Sequence, residues 1–140
     1  MDQSNELREL TRKIERNLEN LNESRMCQES ITLAQCHALV EIGRMQATSL
    51  KDLAQRLTLD PSTMSKTVEN LVNTGLITRD TLPDNRRMVV IRLTAEGLQV
   101  FNNIENDMDL KFEKICGRIV KEDLQTVLRA LEIYNNALEG

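Results

Sequence analysis

Tryptophan is absent from this 140-residue chain, and its only aromatic residues are Phe101, Phe112 and Tyr134. Strand-rich cores lean on aromatic and β-branched side chains, so this scarcity argues against a sandwich or barrel. It also argues against a base-stacking surface for single-stranded nucleic acid, which needs exposed rings. No run approaches the roughly 20 apolar residues of a membrane-spanning helix. The first 16 residues are polar and charged, unlike a signal peptide, so a cytoplasmic location is expected. Histidine occurs once, at His37, and no Gly-rich phosphate loop, paired-histidine metal motif or nucleophile elbow is present. An enzyme is therefore not expected, and no cofactor is required for folding. Three cysteines at wide spacing, Cys27, Cys36 and Cys116, do not make a disulfide framework.

What is present is 40% apolar residues, rich in Leu, Met and Ala, and 29% charged ones. That composition buries a core and favours helices. The formal charge is −4, unevenly distributed. Thr48–Gly97 carries seven basic and six acidic residues, whereas the flanks carry 11 basic and 16 acidic. The middle is thus a less acidic island between two acidic arms.

Leu7, Leu10, Ile14, Leu18 and Leu21 recur at helical spacing near the start. Leu98, Phe101, Met108, Phe112, Ile115 and Ile119 form a second stripe, and Val120, Leu124, Val127, Leu131 and Leu138 a third. Narrow apolar stripes on long polar helices are what a partner helix buries, so a homodimer is expected. The expected division is residues 1–30 for an N-terminal dimerisation helix and its link, 31–97 for a central domain, and 98–140 for C-terminal dimerisation helices.

Within the centre, Thr32 to Gln35 has a capping-box pattern, and the helix it opens is expected to fade at Gly43. Ser49 opens a short helix. Asp60-Pro61 opens the next, an N-cap followed by proline where a missing N–H costs nothing, and Gly75 stops it. Beyond Gly75 the period shortens, and two short strands flank Pro83-Asp84-Asn85, a hairpin pattern. Thr94 then caps a long helix. The expected fold is mainly α with a small β-hairpin wing: a winged helix-turn-helix in the order α-α-α-α-β-β-α-α, with its recognition helix near 61–74 and its wing near 76–93.

The two short helices joined through Thr58-Leu59-Asp60 read as a helix-turn-helix. On the second, Ser62, Thr63, Ser65, Lys66 and Thr67 are expected to face outward, with Asn70 further along. Short hydroxyls let a helix approach base edges and phosphates closely, and they are poor choices for an ordinary exposed helix. Arg86 and Arg87 sit at the hairpin tip, where arginine can enter a narrow minor groove. Ser49, Lys51 and Arg79 complete the candidate DNA-contacting set. The expected partner is double-stranded DNA, with no membrane. A winged helix used to dock a protein is the alternative, and it requires an apolar recognition face.

The runs Ser49–Leu57, Asp60–Ile77 and Asn85-Arg86-Arg87 followed by Val89–Gly97 resemble the core of MarR-family winged-helix regulators. The resemblance covers nearly the whole chain. It implies a homodimer joined through the first and last two helices, a palindromic operator, usually repression, and release by a small-molecule effector or an oxidised cysteine. It also implies that Ser62, Thr63, Ser65, Lys66 and Thr67 are the DNA-contacting helix positions and Arg87 the wing arginine, with Arg86 its common neighbour. The chain departs from the family in having Asn85 two places before that arginine, where aspartate is usual, with Asp84 one place earlier. For Cys27, Cys36 and His37, in the region where the family's effectors act, three readings stay open. Cys36 is a core residue, or Cys27 and Cys36 form a disulfide or mixed disulfide under oxidants, or Cys27, Cys36 and His37, with Cys116 or a carboxylate, bind zinc or a thiophilic ion.

Overall fold

The structure, a computed structural model, describes residues 2–23 and 32–140; Cys27 and the side chain of Arg86 lie outside what it describes. Its elements follow the expected order: α1 (Gln3–Glu23), α2 (Leu33–Met45), α3 (Leu50–Leu57), α4 (Pro61–Asn73), β1 (Ile77–Leu82), β2 (Asn85–Leu93), α5 (Ala95–Gly117) and α6 (Lys121–Glu139). Residues 1–105 and 106–140 form two compact units.

The core of the first unit runs from Cys36 to Ile104. Leu39 and Ile42 of α2, Leu53 of α3, Met64, Val68 and Leu71 of α4 and Ile91 of β2 are fully buried. Each such side chain contributes about 1.5–3 kcal/mol of burial free energy. Val100 and Ile104 are also buried, so α5 supplies the core well past Gly97.

Helix starts are fixed as the sequence implies. Thr32 and Gln35 exchange both bonds of a capping box on α2. Ser49 accepts the Asp52 N–H on α3, and Asp60 accepts the Thr63 N–H on α4 at 2.6 Å, with Pro61 at the first turn. At Gly75 the backbone is left-handed (φ 79°), ending α4 as expected.

Gly43 does not end α2, which continues to Met45. A Cβ at Gly43 would overlap the Phe101 ring, so this glycine marks close packing of α5 on α2 and not a helix stop. Arg44 reinforces the same seam by pairing with Glu105 at 3.3 Å. Gly97 has a similar reason: a Cβ there would collide with the Leu76 carbonyl, itself bonded by the Thr94 N–H at 3.0 Å. The Thr94 hydroxyl donates to the Gly75 carbonyl and accepts the Gly97 N–H, tying the end of α4 to the start of α5.

β1 and β2 form an antiparallel hairpin, and Thr48 exchanges both backbone bonds with Ile91 as a one-residue third strand. Ile77 pairs with Leu93 and Thr81 with Val89, but Leu82 pairs with Asn85. Arg86, Arg87 and Met88 thus form a bulge opposite a continuous β1.

Outside this core, apolar residues stay exposed. Leu7, Leu10, Ile14 and Leu18 of α1 are 43–50% exposed. No residue of α6 is buried, and Leu128, Leu131 and Leu138 are among its exposed apolar side chains. No helix among the described residues is long and apolar enough to cross a membrane.

Candidate nucleic-acid interface

The exposed face of α4 is set by what its other face buries. Met64, Thr67, Val68 and Leu71 recur at the i, i+3, i+4, i+7 spacing and pack inward. Ser62, Thr63, Ser65, Lys66 and Asn70 are left outward, as expected. Thr67 corrects the sequence reading. It is 6% exposed, and its hydroxyl donates to the Thr63 carbonyl at 2.9 Å, so it braces the helix from inside. The apolar spacing alone carried that signal. From Ser62 to Asn70 the exposed residues are all polar or charged, unlike the apolar face that a protein-docking winged helix needs.

Asp60 holds the start of this helix. Its carboxylate accepts the Thr63 backbone N–H, and that bond, with the Thr63 side chain beside it, holds it below the ordinary aspartate pKa. A negative cap also suits the positive end of the helix dipole.

Among the other sequence candidates, Lys51 and Arg79 are exposed. Ser49 is half-buried, with its hydroxyl oxygen occupied as the α3 cap. Arg87 is exposed in the wing bulge, and the Asn85 side chain accepts its backbone N–H at 3.1 Å. The tip is therefore organised by Asn85 itself, whose amide oxygen closes the turn onto the Arg87 backbone. Arg86 is in the same bulge. Sequence reasoning missed the bulge, since ladder register depends on pairing that one strand does not reveal.

Among the described residues, Cys36 and His37 do not gather into a metal site. Cys36 is fully buried and disulfide-bonded, whereas the adjacent His37 is exposed. A sulfur held in a disulfide is no thiolate ligand, and neighbouring helix residues pointing in and out cannot converge on one ion. Among the described residues no group of three or more His, Cys, Asp and Glu side chains is arranged to hold a metal. Cys116 is an exposed free thiol on α5. Between the end of α2, the end of β2 and the start of α5 lies a crevice of about 300 Å³, lined by Ile42, Gly43, Gln46, Arg92, Leu93 and Leu98 among others. Gln46 at its edge has a positive φ of 67°, which is costly for a residue with a Cβ.

A helix-turn-helix whose second helix presents hydroxyls and a lysine, followed by an arginine-tipped hairpin, defines the winged-helix class of DNA-binding regulators. Residues 31–89 match the model of the MarR family. Over those residues the chain is similar to MarR-family regulators. It is similar to an uncharacterized HTH-type transcriptional regulator, YfiV of Bacillus subtilis (strain 168), at 23% identity over 110 residues, covering 79% of this chain and 69% of that protein. Its fold resembles that of Streptococcus pneumoniae FabT in complex with DNA, with a TM-score of 0.89 at 20% identity, covering 97% of each chain. It also resembles Staphylococcus aureus MarR in complex with salicylate and kanamycin, with a TM-score of 0.84 at 21% identity, covering 96% of this chain and 91% of that one.

Proposed function

We propose that this chain is a homodimeric repressor that binds a palindromic operator and is released by a small molecule or by thiol oxidation. The observation that carries the DNA-binding part is the exposed α4 face of Ser62, Thr63, Ser65 and Lys66, with Arg87 held in a bulge of the neighbouring wing. The helix face suits a major groove and the arginine the adjacent minor groove. Ser49, Lys51, Asn70, Arg79 and Arg86 flank this surface and contact backbone phosphates.

Dimerisation is supported by the apolar side chains of α1 and α6 that stay exposed among the described residues. A second copy covers them and sets two recognition helices against successive half-sites. The small-molecule effector occupies the crevice between α2, β2 and α5, where its contact with Arg92 and Leu93 reaches the wing directly. The oxidant response runs through Cys36, which is disulfide-bonded at the core face of α2.

Selection from a random DNA pool tests this reading. The expected result is an inverted repeat whose half-sites are about one helical turn apart, bound by two copies of the chain. Enrichment of no sequence, or binding as a single copy, contradicts it.

A further inference from the structure

The first helix of the helix-turn-helix and the turn behind it line a groove of about 680 Å³, which shares no residue with the crevice between α2, β2 and α5. Leu50 and Ala54 of α3 meet there with Leu59 and Pro61 from beyond the turn, and none of these four is buried. Lys51 is the only charged residue of the lining. It is exposed and has no ion-pair partner among the described residues. Asp60, between Leu59 and Pro61 in the chain, already holds the Thr63 N–H at 2.6 Å. Thr58 shapes the groove. It ends α3 in the left-handed region (φ 50°, ψ 40°), which is costly for a β-branched side chain. Its backbone N–H donates to the Ala54 and Gln55 carbonyls, and its hydroxyl to the Leu57 carbonyl at 2.7 Å. Sparsely populated backbone conformations of this kind persist where a ligand is clamped.

A groove of this volume, mostly apolar with few polar groups, has the character of a small-molecule site. One free ammonium in an otherwise uncharged lining selects for negative charge. An inorganic anion would leave the apolar wall unused, and a neutral hydrocarbon would leave the ammonium unpaired. We infer that this groove is a binding site for an amphipathic organic anion, its apolar body against Leu50, Ala54, Leu59 and Pro61 and its acidic group on Lys51. Lys51 is also one of the phosphate contacts proposed above. Resting on that DNA-binding reading, the bound anion competes with the operator for the same ammonium.

The experiment titrates biphenyl-4-carboxylate and biphenyl-4-carboxamide, alike in shape and different in charge, into the isotope-labelled full-length protein and follows its amide NMR shifts. The acid is expected to shift the amides from Leu50 to Leu59 saturably and to bind roughly 2- to 5-fold tighter than the amide, the size of one exposed ion pair. Lys51→Gln keeps the groove and brings the two affinities together. Ala54→Phe fills the groove and removes both ligands, with its spectrum away from α3 reporting that it is folded; should it not fold, the Lys51→Gln ratio still decides. Shifts confined to the α2–β2–α5 crevice or to α1 and α6, or none that saturate, overturn the site. An acid-to-amide ratio unchanged by Lys51→Gln overturns the anion as its occupant. The competition is read separately: the acid at saturation weakens wild-type binding to the selected operator, and an unchanged operator affinity overturns that half. A protein that takes the acid in the groove yet prefers no DNA sequence overturns the DNA-binding reading and the competition with it, while the groove's occupancy upholds the site.

Discussion

The side-chain oxygen of Asn85 accepts the backbone N–H of Arg87 at 3.1 Å, across the bulge that interrupts the wing. Two residues of chain are thereby closed into a tight turn, and Arg87 is carried out of the β ladder with its side chain exposed. Arg87→Ala is expected to weaken operator binding by about 1–3 kcal/mol. Asn85→Ala removes only the turn acceptor and should cost about 0.5–1.5 kcal/mol. Asn85→Asp keeps the acceptor and should fall closer to wild type than Asn85→Ala. Fluorescence anisotropy with labelled operator at fixed salt reads all three, and an Asn85→Ala protein indistinguishable from wild type sinks the link between turn and contact.

Two glycines are predicted to differ in how badly they tolerate a methyl group. At Gly43 the obstacle is the Phe101 ring, which can rotate, so Gly43→Ala should destabilise by about 1–3 kcal/mol. At Gly97 the obstacle is the Leu76 carbonyl, fixed by its bond from Thr94, so Gly97→Ala should cost more. Phe101→Leu combined with Gly43→Ala should recover part of the loss, because the two residues share one space. Urea unfolding ranks the variants, and equal costs at the two glycines would contradict the packing described.

The Asp60 cap gives a pH signature. Its folded-state pKa is lowered by the Thr63 backbone N–H and the side chain beside it, so its stabilisation is present above the ordinary aspartate pKa and is lost as pH falls through the folded value. Asp60→Ala should therefore melt below wild type at about pH 6, and the gap should narrow as pH is lowered toward about 3. A gap constant with pH would mean the carboxylate charge is not what holds the helix start.

The thiol branch of the functional proposal rests on Cys36. Cys36→Ala is expected to leave operator binding by the reduced protein intact and to remove the loss of binding caused by mild oxidant. A Cys36→Ala protein still released by oxidant would exclude Cys36 and redirect attention to the exposed Cys116.

Most of the architecture was legible because its signals are local. Thr32 with Gln35, Ser49, and Asp60 with Pro61 mark helix starts by short-range bonds that neighbouring residues specify. Gly75 marks a stop because its own backbone angle requires glycine. Gly43 looked the same in sequence, yet its reason is Phe101, distant in the chain, and no local pattern distinguishes a stop from a close approach. On α4 the outward residues were read correctly except Thr67, where the hydroxyl suggested solvent although the spacing with Met64, Val68 and Leu71 assigns it to the core. The bulge at Arg86–Met88 was invisible because it is a property of two strands together. The separation of Cys36 from His37 follows from helix geometry, and adjacency in sequence concealed it.

The most direct measurement of the central claim is a titration of wild type and a Lys66→Ala, Arg87→Ala double variant against the selected operator, each with random DNA as competitor. The wild type should bind tightly and resist the competitor. The double variant should lose roughly 2–6 kcal/mol of operator affinity, from two contacts of about 1–3 kcal/mol each on separate elements. A double variant that binds the operator like wild type would contradict the account, because the α4 face and the wing would then not be what reads DNA.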